Sequence, residues 1–257
     1  MEELTLGLIL ALAVVPVAAW GSPRFARRIR AGQRIRPEGP VDHQGKTGTP
    51  TMGGIVPLSL VFVGTGVLWA LGPGPSTAGA FVLLSTAAGS LIGLVDDLRS
   101  QRRGASVGFF PHQTLLAQVL CAGLLCLLVP SLRELEFAVP FSVARLPLSV
   151  LPLWAWVPLV IVGFMGAING VNFADGLDGL ASGAWILAVL GLLLISRGAE
   201  LQGIALVASG AGGGFLWANT FPARVFMGNV GSMGLGGFLF GFSFASGGLF
   251  FLPLAGW

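Results

Sequence analysis

The stretch Asn169-Gly-Val-Asn-Phe-Ala-Asp-Gly-Leu-Asp-Gly-Leu180 forms a polar island between two long apolar runs. It contains two amides, Asn169 and Asn172, two carboxylates, Asp175 and Asp178, and three glycines. Carboxylates beside a bilayer core are costly unless they are compensated, so such residues usually mark a functional or hydrated site. Glycine allows the backbone to turn tightly and to approach a ligand closely. We therefore expect polar side chains from other segments to converge on this polar island.

The composition indicates a membrane protein. Of 257 residues, 54% are hydrophobic and only 10% are charged, whereas a soluble globular domain carries about 25% charged residues. An apolar run of about 20 residues crosses a bilayer as a helix. The sequence predicts an all-α, polytopic membrane helix bundle, organised as one integral membrane domain over residues 1–257. The eight predicted spans are residues 4–20, 53–71, 77–95, 114–129, 153–168, 180–196, 201–218 and 233–252, with a small hairpin in residues 131–152.

The distribution of basic residues predicts the orientation. Of the 14 Lys and Arg residues, 11 fall in the alternate loops 21–52, 96–113, 169–179 and 219–232. The positive-inside rule places these loops in the cytoplasm and the N-terminus outside. The polar clusters then lie on one face, which predicts a single site built from four loops at the cytoplasmic membrane surface. A transporter is disfavoured, because transport sites usually lie near the bilayer midplane.

The acidic residues allow two interpretations each. Asp96 and Asp97 follow the third span, where the helix dipole disfavours negative charge. They are either a solvated helix end balanced by arginines or a pair compensated by a metal or by cationic groups. Neighbours on a helix diverge by about 100°, which favours metal contact through one of them. Asp178 could cap the sixth helix, or it could act with Asp175 on a Mg²⁺-bridged pyrophosphate.

Other polar and glycine-rich segments complete the pattern. The segment 39–54 contains His43 and Lys46 and is rich in hydroxyls and backbone donors, as a phosphate or nucleotide cradle would be. The arginines before it are typical of membrane topology or lipid-phosphate attraction. His112 remains open between a structural and a catalytic role. Glycines spaced four apart predict close helix packing in the membrane: Gly89 and Gly93, Gly210 and Gly214, Gly237 and Gly241.

Three segments together resemble a known family. They are His43-x-x-Lys46-x-Gly-Thr-Pro-Thr-Met-Gly-Gly54, Asn169-x-Val-Asn172-x-x-Asp175-Gly-Leu-Asp178-Gly-Leu-Ala181 and Asn219-x-x-Pro-Ala-x-Val-Phe226-Met-Gly-x-x-Gly-Ser232. In this order, and with Asp96-Asp97 between the first two, they are similar to the phospho-N-acetylmuramoyl-pentapeptide transferases. That family belongs to the polyprenyl-phosphate N-acetylhexosamine-1-phosphate transferase superfamily. The similarity extends from about residue 39 to residue 240.

The resemblance implies a Mg²⁺-dependent phosphoglycosyl transferase in the bacterial plasma membrane. Such an enzyme transfers phospho-N-acetylmuramoyl-pentapeptide from its UDP carrier to undecaprenyl phosphate, yielding lipid I and UMP for peptidoglycan synthesis. The implied partners are these two substrates, membrane lipids and a second copy of the chain in a homodimer; no nucleic acid is expected. By position, the resemblance implies catalytic roles for Asp96, Asp97 and Asp178. It implies substrate binding by Lys46, Asn172, Asp175, Asn219 and Phe226, and metal binding by Asp97 and residue 229.

Two departures from the family pattern keep alternatives open. The family has Phe-Met-Gly-Asp with a metal-binding aspartate, whereas this chain has Phe226-Met-Gly-Asn229. An amide oxygen can still bind Mg²⁺ but lacks the charge of a carboxylate. The family also has ten spans and a histidine-rich loop, against eight predicted spans here. The alternatives are a related UDP-N-acetylhexosamine:polyprenyl-phosphate transferase and an inactive, truncated copy that binds without turnover.

Overall fold

The protein is described by a computed structural model that covers residues 2–29, 48–103, 108–129, 133–138 and 144–248. These residues form eight α-helices and one short antiparallel hairpin. The helices are α1 Glu2–Arg28, α2 Ile55–Leu71, α3 Thr77–Arg103, α4 Pro111–Leu128, α5 Leu153–Ala174, α6 Leu180–Ile195, α7 Ala199–Asn219 and α8 Gly228–Ala245. The hairpin strands are β1 Glu136–Ala138 and β2 Arg145–Pro147, and a 3-10 turn, Leu148–Val150, follows them.

The helices have the lengths and apolar surfaces of a membrane bundle. Helices α1, α3, α4, α5 and α7 are long and apolar enough to cross a membrane, and α2 and α6 are shorter apolar helices. Large apolar side chains lie exposed on the outer faces, as in Leu127, Trp154 and Leu194, where lipid would cover them. The protein is therefore an all-α, polytopic membrane helix bundle. Eight spans and an outside N-terminus remain predictions.

Helix α8 lies at the centre of the bundle. Every residue from Val230 to Phe244 is buried, and a helix that is apolar on all sides belongs in a core. It packs mainly against α3 and α5, with further contacts to α2 and α6. The position of α8 therefore determines where its first turn meets the ends of the neighbouring helices.

The α3–α8 contact is made by glycine backbones in antiparallel register. A Cβ on Gly93 would overlap the carbonyl of Asn229, and a Cβ on Gly89 would overlap that of Met233. One step further, a Cβ on Gly237 would overlap the carbonyl of Ser85. Glycine at four-residue spacing lets membrane helices approach this closely. The predicted packing role of these glycines is confirmed.

The α1–α7 contact is also made by glycine backbones, here in parallel register. Cβ atoms on Gly210 and Gly214 would overlap the carbonyls of Ala11 and Val15, respectively. Helices one and seven therefore run in the same direction, whereas helices three and eight run in opposite directions. Alternating spans numbered in chain order require both relations.

At the end of the bundle opposite the polar island, two partly buried contacts join the helices. Glu200, in the first turn of α7, accepts hydrogen bonds from Trp69 Nε1 (2.7 Å) and from the Ser76 N–H (3.1 Å). Arg145 on β2 donates to the carbonyls of Ser246 and Ile195, both at 3.3 Å. A cation at a helix C-terminus is favoured by the helix dipole, so Arg145 holds the ends of α6 and α8 together.

At the end of the bundle that carries the polar island, several helices extend beyond the predicted spans. Helix α3 continues to Arg103, so Asp96 and Asp97 lie inside a helix rather than at its end. Helix α5 continues to Ala174, so Asn169 and Asn172 are helical rather than part of a loop. Hydropathy falls where a helix leaves the apolar layer, but backbone hydrogen bonding does not stop there. The last helix begins at Gly228 instead of residue 233 for the same reason. The small predicted hairpin is confirmed.

Candidate functional site

Asp97 holds the N-terminus of α8. Its Oδ1 accepts the backbone N–H of Asn229 at 3.2 Å, and its Oδ2 accepts that of Val230 at 2.9 Å. The first N–H groups of a helix lack partners within the helix, and negative charge is favoured there. Gly228 precedes them with φ +75°, and a Cβ on it would lie 2.9 Å from Asp97 Oδ2. Asp97 therefore acts as a cap supplied by a different helix.

The two carboxylate oxygens of Asp96 accept hydrogen bonds from two different segments. Oδ2 accepts the side-chain N–H of Asn229 (2.5 Å), and Oδ1 accepts the backbone N–H of Phe109 (2.6 Å). The guanidinium of Arg99 lies 4.8 Å above the Phe109 ring, which fixes the same turn. Only 7% of Asp96 and 9% of Asp97 is exposed. Both neighbours thus reach Asn229.

Asp175 lies directly after α5, and its carboxylate accepts no hydrogen bond from the described residues. Burial raises the pKa of Asp175 well above its ordinary value, and the negative charge of Asp97 raises it further. This electrostatic effect indicates that Asp175 lies near Asp97. A carboxyl group with a raised pKa is typical of a functional site.

Asp178 and Asn219 connect the polar island to the loop between α7 and α8. Asp178 Oδ2 accepts the backbone N–H of Ala223 at 3.1 Å. The cap of α6 is Gly179, without a side-chain cap, so the capping interpretation of Asp178 was wrong. Asn219 Oδ1 accepts the N–H of Gly179 and the hydroxyl of Ser182, and its Nδ2 donates to the Val225 carbonyl at 3.0 Å. Asn219 is buried and positions three segments at once.

Phe226 pairs with the end of the hydroxyl-rich segment. Its N–H donates to the Pro50 carbonyl at 2.8 Å, and its carbonyl accepts the N–H of Gly53 at 2.9 Å. Gly54 N–H then donates to the Met227 carbonyl at 3.0 Å. The end of this segment therefore adjoins the start of α8. Lys46 and His43, which precede it, lie outside the described residues.

The structure also shows an amide pair that sequence reasoning missed. Gln118 on α4 and Asn169 on α5 exchange two hydrogen bonds, of 3.1 and 2.9 Å, and Gln118 is fully buried. Asn169 therefore holds two helices together, and among the described residues its side chain bonds to Gln118 and to the Met165 carbonyl rather than to an acidic residue. A glutamine within the apolar run 114–129 was the available signal, because intramembrane polar groups seek partners. Asn172 is half-buried with no side-chain hydrogen bond among the described residues, and His112 stacks on Phe110 at the exposed start of α4.

Mg²⁺ is the metal that the resemblance implies for this site. Within the described ranges, no three or more His, Cys, Asp or Glu side chains are arranged to hold a metal ion. Mg²⁺ takes oxygen ligands, whereas the atom of residue 229 that faces Asp96 is an amide N–H donor. The residues as they stand do not fit a Mg²⁺ ion that bridges Asp96 and residue 229.

Comparison with known proteins agrees with the sequence motifs. The family model of glycosyl transferase family 4 matches residues 80–247. A phospho-N-acetylmuramoyl-pentapeptide-transferase of Thermosynechococcus vestitus is 40% identical over 254 residues, covering 96% of this chain and 65% of that protein. Proteins of the same description from Halalkalibacterium halodurans and Salinispora arenicola are each 35% identical. They cover 91% and 96% of this chain, which spans 72% and 78% of their lengths.

The extent of the match varies among relatives. The chain spans 65% of the length of the cyanobacterial relative from Thermosynechococcus vestitus and of a second from Synechococcus. The matched residues include α3, the polar island and α8, which together form the candidate site. The chain therefore belongs to glycosyl transferase family 4 and, within it, to the phospho-N-acetylmuramoyl-pentapeptide transferase family.

Proposed function

We propose that this chain transfers phospho-N-acetylmuramoyl-pentapeptide from its UDP carrier to undecaprenyl phosphate, forming lipid I and UMP. The main support is that Asp96, Asp97 and the first turn of α8 lie in direct contact, and that the charge of Asp97 acts on Asp175. The relatives carry the name of this activity. The proposed setting is the bacterial plasma membrane, with the site on the cytoplasmic face and a homodimer as the assembly.

The proposed reaction is a phosphoryl transfer. An oxygen of the lipid phosphate attacks the phosphorus that carries the sugar, and the bond from that phosphorus to the bridging oxygen of UMP breaks. UMP leaves with that oxygen and its negative charge. A proton on the attacking phosphate must pass to a base, and a raised pKa makes a carboxylate a stronger base. We assign this role to Asp175, whose pKa is raised by burial and by the charge of Asp97.

The other polar residues of the site have distinct roles in this proposal. Asp97 positions the first turn of α8, whose N–H groups form the positive end of that helix. Asp178 and Asn219 position the 219–227 loop, which carries Phe226, the aromatic side chain proposed to contact the uridine of the substrate. Asp96 lies between the 108–110 turn and Asn229. In this proposal Lys46 and Asn172 complete the nucleotide site.

Binding of Mg²⁺ to this chain has to be measured. Mg²⁺ is the cofactor that the resemblance implies, and in phosphoryl transfer it would neutralise charge on the phosphates. The contact between Asn229 and Asp96 does not fit a bridging ion. Binding of the nucleotide without turnover is therefore the second candidate function, and the Asn229 amide is the observation that favours it.

The test is UMP release from UDP-N-acetylmuramoyl-pentapeptide and undecaprenyl phosphate by the purified chain, with and without Mg²⁺. Asn229→Asp is assayed beside it, with Asp175→Asn as the expected inactive control. Release by the unaltered chain and none by Asp175→Asn support the proposal. Release only by Asn229→Asp locates the defect at residue 229. Absence of release from both folded proteins contradicts the transferase proposal, and UDP binding then decides for the second candidate. A panel of other UDP-N-acetylhexosamines identifies the donor.

A further inference from the structure

We propose that Asn229 takes the place of a cation in this chain. Its side-chain N–H joins Asp96 to the first turn of α8 by a hydrogen bond, so that the site keeps its structure without a divalent ion. The inference concerns the site of the proposed function and rests on that proposal only for Mg²⁺ as the relevant cation.

The hydrogen bonds around the acidic pair carry the argument. Asp96 and Asp97 are both buried, and buried carboxylates need compensation. Each of their four oxygens accepts one N–H, from Phe109, from Val230 and, twice, from Asn229 through its backbone and its side chain. In the described part of the chain, neither carboxylate forms an ion pair with Lys, Arg or His. The Asn229 amide is therefore the side-chain group that compensates Asp96.

A carboxylate at residue 229 would reverse this interaction. It would turn an oxygen toward Asp96 Oδ2 at about hydrogen-bond distance, in a buried place that already holds two acidic groups. Two carboxylates that share such a site cannot both remain charged without a cation or a proton between them. The identity of residue 229 thus decides whether this end of the bundle requires a cation.

The chain offers a matched exchange of the two partners. In the double variant Asp96→Asn with Asn229→Asp, the amide donates from residue 96 to a carboxylate at residue 229. The amide oxygen introduced at residue 96 still accepts the Phe109 N–H, and the net charge equals that of the unaltered chain. Gln101→Glu serves as the control, because Gln101 is exposed on the same helix as Asp96 and gains the same charge as Asn229→Asp.

The experiment measures the Tm of the detergent-purified chain in EDTA and in Mg²⁺. We expect the unaltered chain and Gln101→Glu to show the same Tm in both solutions. Leaving a buried charge unpaired is strongly destabilising, so Asn229→Asp should lose roughly 5–10 °C in EDTA and recover most of it in Mg²⁺. The exchanged double variant should regain the lost Tm in EDTA without Mg²⁺. Mn²⁺ binding, followed by loss of the free-ion EPR signal, should appear for Asn229→Asp alone.

Three results would each overturn the inference. The first is a Tm increase in Mg²⁺ that is as large for the unaltered chain as for Asn229→Asp. The second is an Asn229→Asp variant whose Tm in EDTA equals that of the unaltered chain. The third is a double variant whose Tm in EDTA is no higher than that of Asn229→Asp. If Asn229→Asp does not fold without an ion, the double variant and the Mn²⁺ titration still decide. UMP release is not a readout here, so failure of the proposed function leaves this test intact.

Discussion

The carboxylate of Asp97 on α3 accepts the backbone N–H of Val230 on α8 at 2.9 Å, across 133 residues of sequence. Its other oxygen accepts the N–H of Asn229, so one side chain caps a helix that does not contain it. In Asp97→Asn, one of these positions becomes an NH₂ group facing an N–H donor. An unsatisfied buried donor costs about 1–3 kcal/mol, and the Tm should fall by roughly 5 °C. Thermal unfolding measures this, and an unchanged Tm would contradict the capping role.

Glycine at residue 93 is required because α8 passes directly against it. In Gly93→Ala the new Cβ overlaps the Asn229 carbonyl and lies 2.6 Å from the Val230 nitrogen, so both helices must shift. Overpacking of this kind costs about 1–3 kcal/mol, and it should also disturb the contact of Asp97 with α8. Gly123→Ala on α4 is the matched control, because a Cβ there meets no atom within 4 Å. It should stabilise by about 0.5–1 kcal/mol. Equal Tm values for the two variants would contradict the packing argument.

Alanine substitutions at Asn219 and Asn172 should distinguish a structural role from a role in substrate binding. Asn219→Ala removes two accepted hydrogen bonds and one donated hydrogen bond, each worth about 1 kcal/mol. We expect the free energy of unfolding to fall by about 2–4 kcal/mol. Asn172→Ala removes a half-buried side chain without such bonds and should change stability by less than about 0.5 kcal/mol. Under the proposed function it still weakens UDP binding, measured by calorimetry. A large loss of stability in Asn172→Ala would show that it has a structural role.

Asp175 should make stability depend on pH. Its pKa is raised by burial and by the charge of Asp97, so the folded protein favours the protonated form. This contribution is fully present below the ordinary aspartate pKa, near 3.8, and is lost as the pH rises through the raised pKa of the folded state. Asp175→Asn should therefore raise the Tm at neutral pH and leave it unchanged at about pH 4. The pH dependence of the Tm of both proteins checks this, and a lower Tm at neutral pH would contradict it.

The spacing of the glycines and the distribution of the charged residues predicted the general architecture, because each of these signals needs only a few residues. The four-residue glycine spacing of Gly89 and Gly93 predicts a backbone contact whatever the partner helix is. The convergence of Asp96 and Asp97 with the loop before α8 followed from the distribution of Lys and Arg along the chain. Helix ends were less predictable, since α3 continues to Arg103 beyond its apolar part.

The partner of each polar side chain could not be predicted from the sequence. Asp178 looked like a cap of the helix next to it, but it accepts the N–H of Ala223 from a distant loop. Asn169 lies within the polar island in sequence, but its position on α5 turns it toward Gln118. These choices depend on how the helices are rotated against one another, which is determined by the packing of the whole bundle.

The antiparallel register of α3 and α8 has a consequence for insertions and deletions. Gly93 meets Asn229, Gly89 meets Met233 and Ser85 meets Gly237, so both helices advance by four residues at every step. One residue added between positions 229 and 237 would rotate the following part of α8 by about 100°. Either the contact of Gly237 with Ser85 or the contact of α8 with Asp97 would then be lost. Within these two turns the fold can accept some changes of side chain, but it cannot accept a change of length.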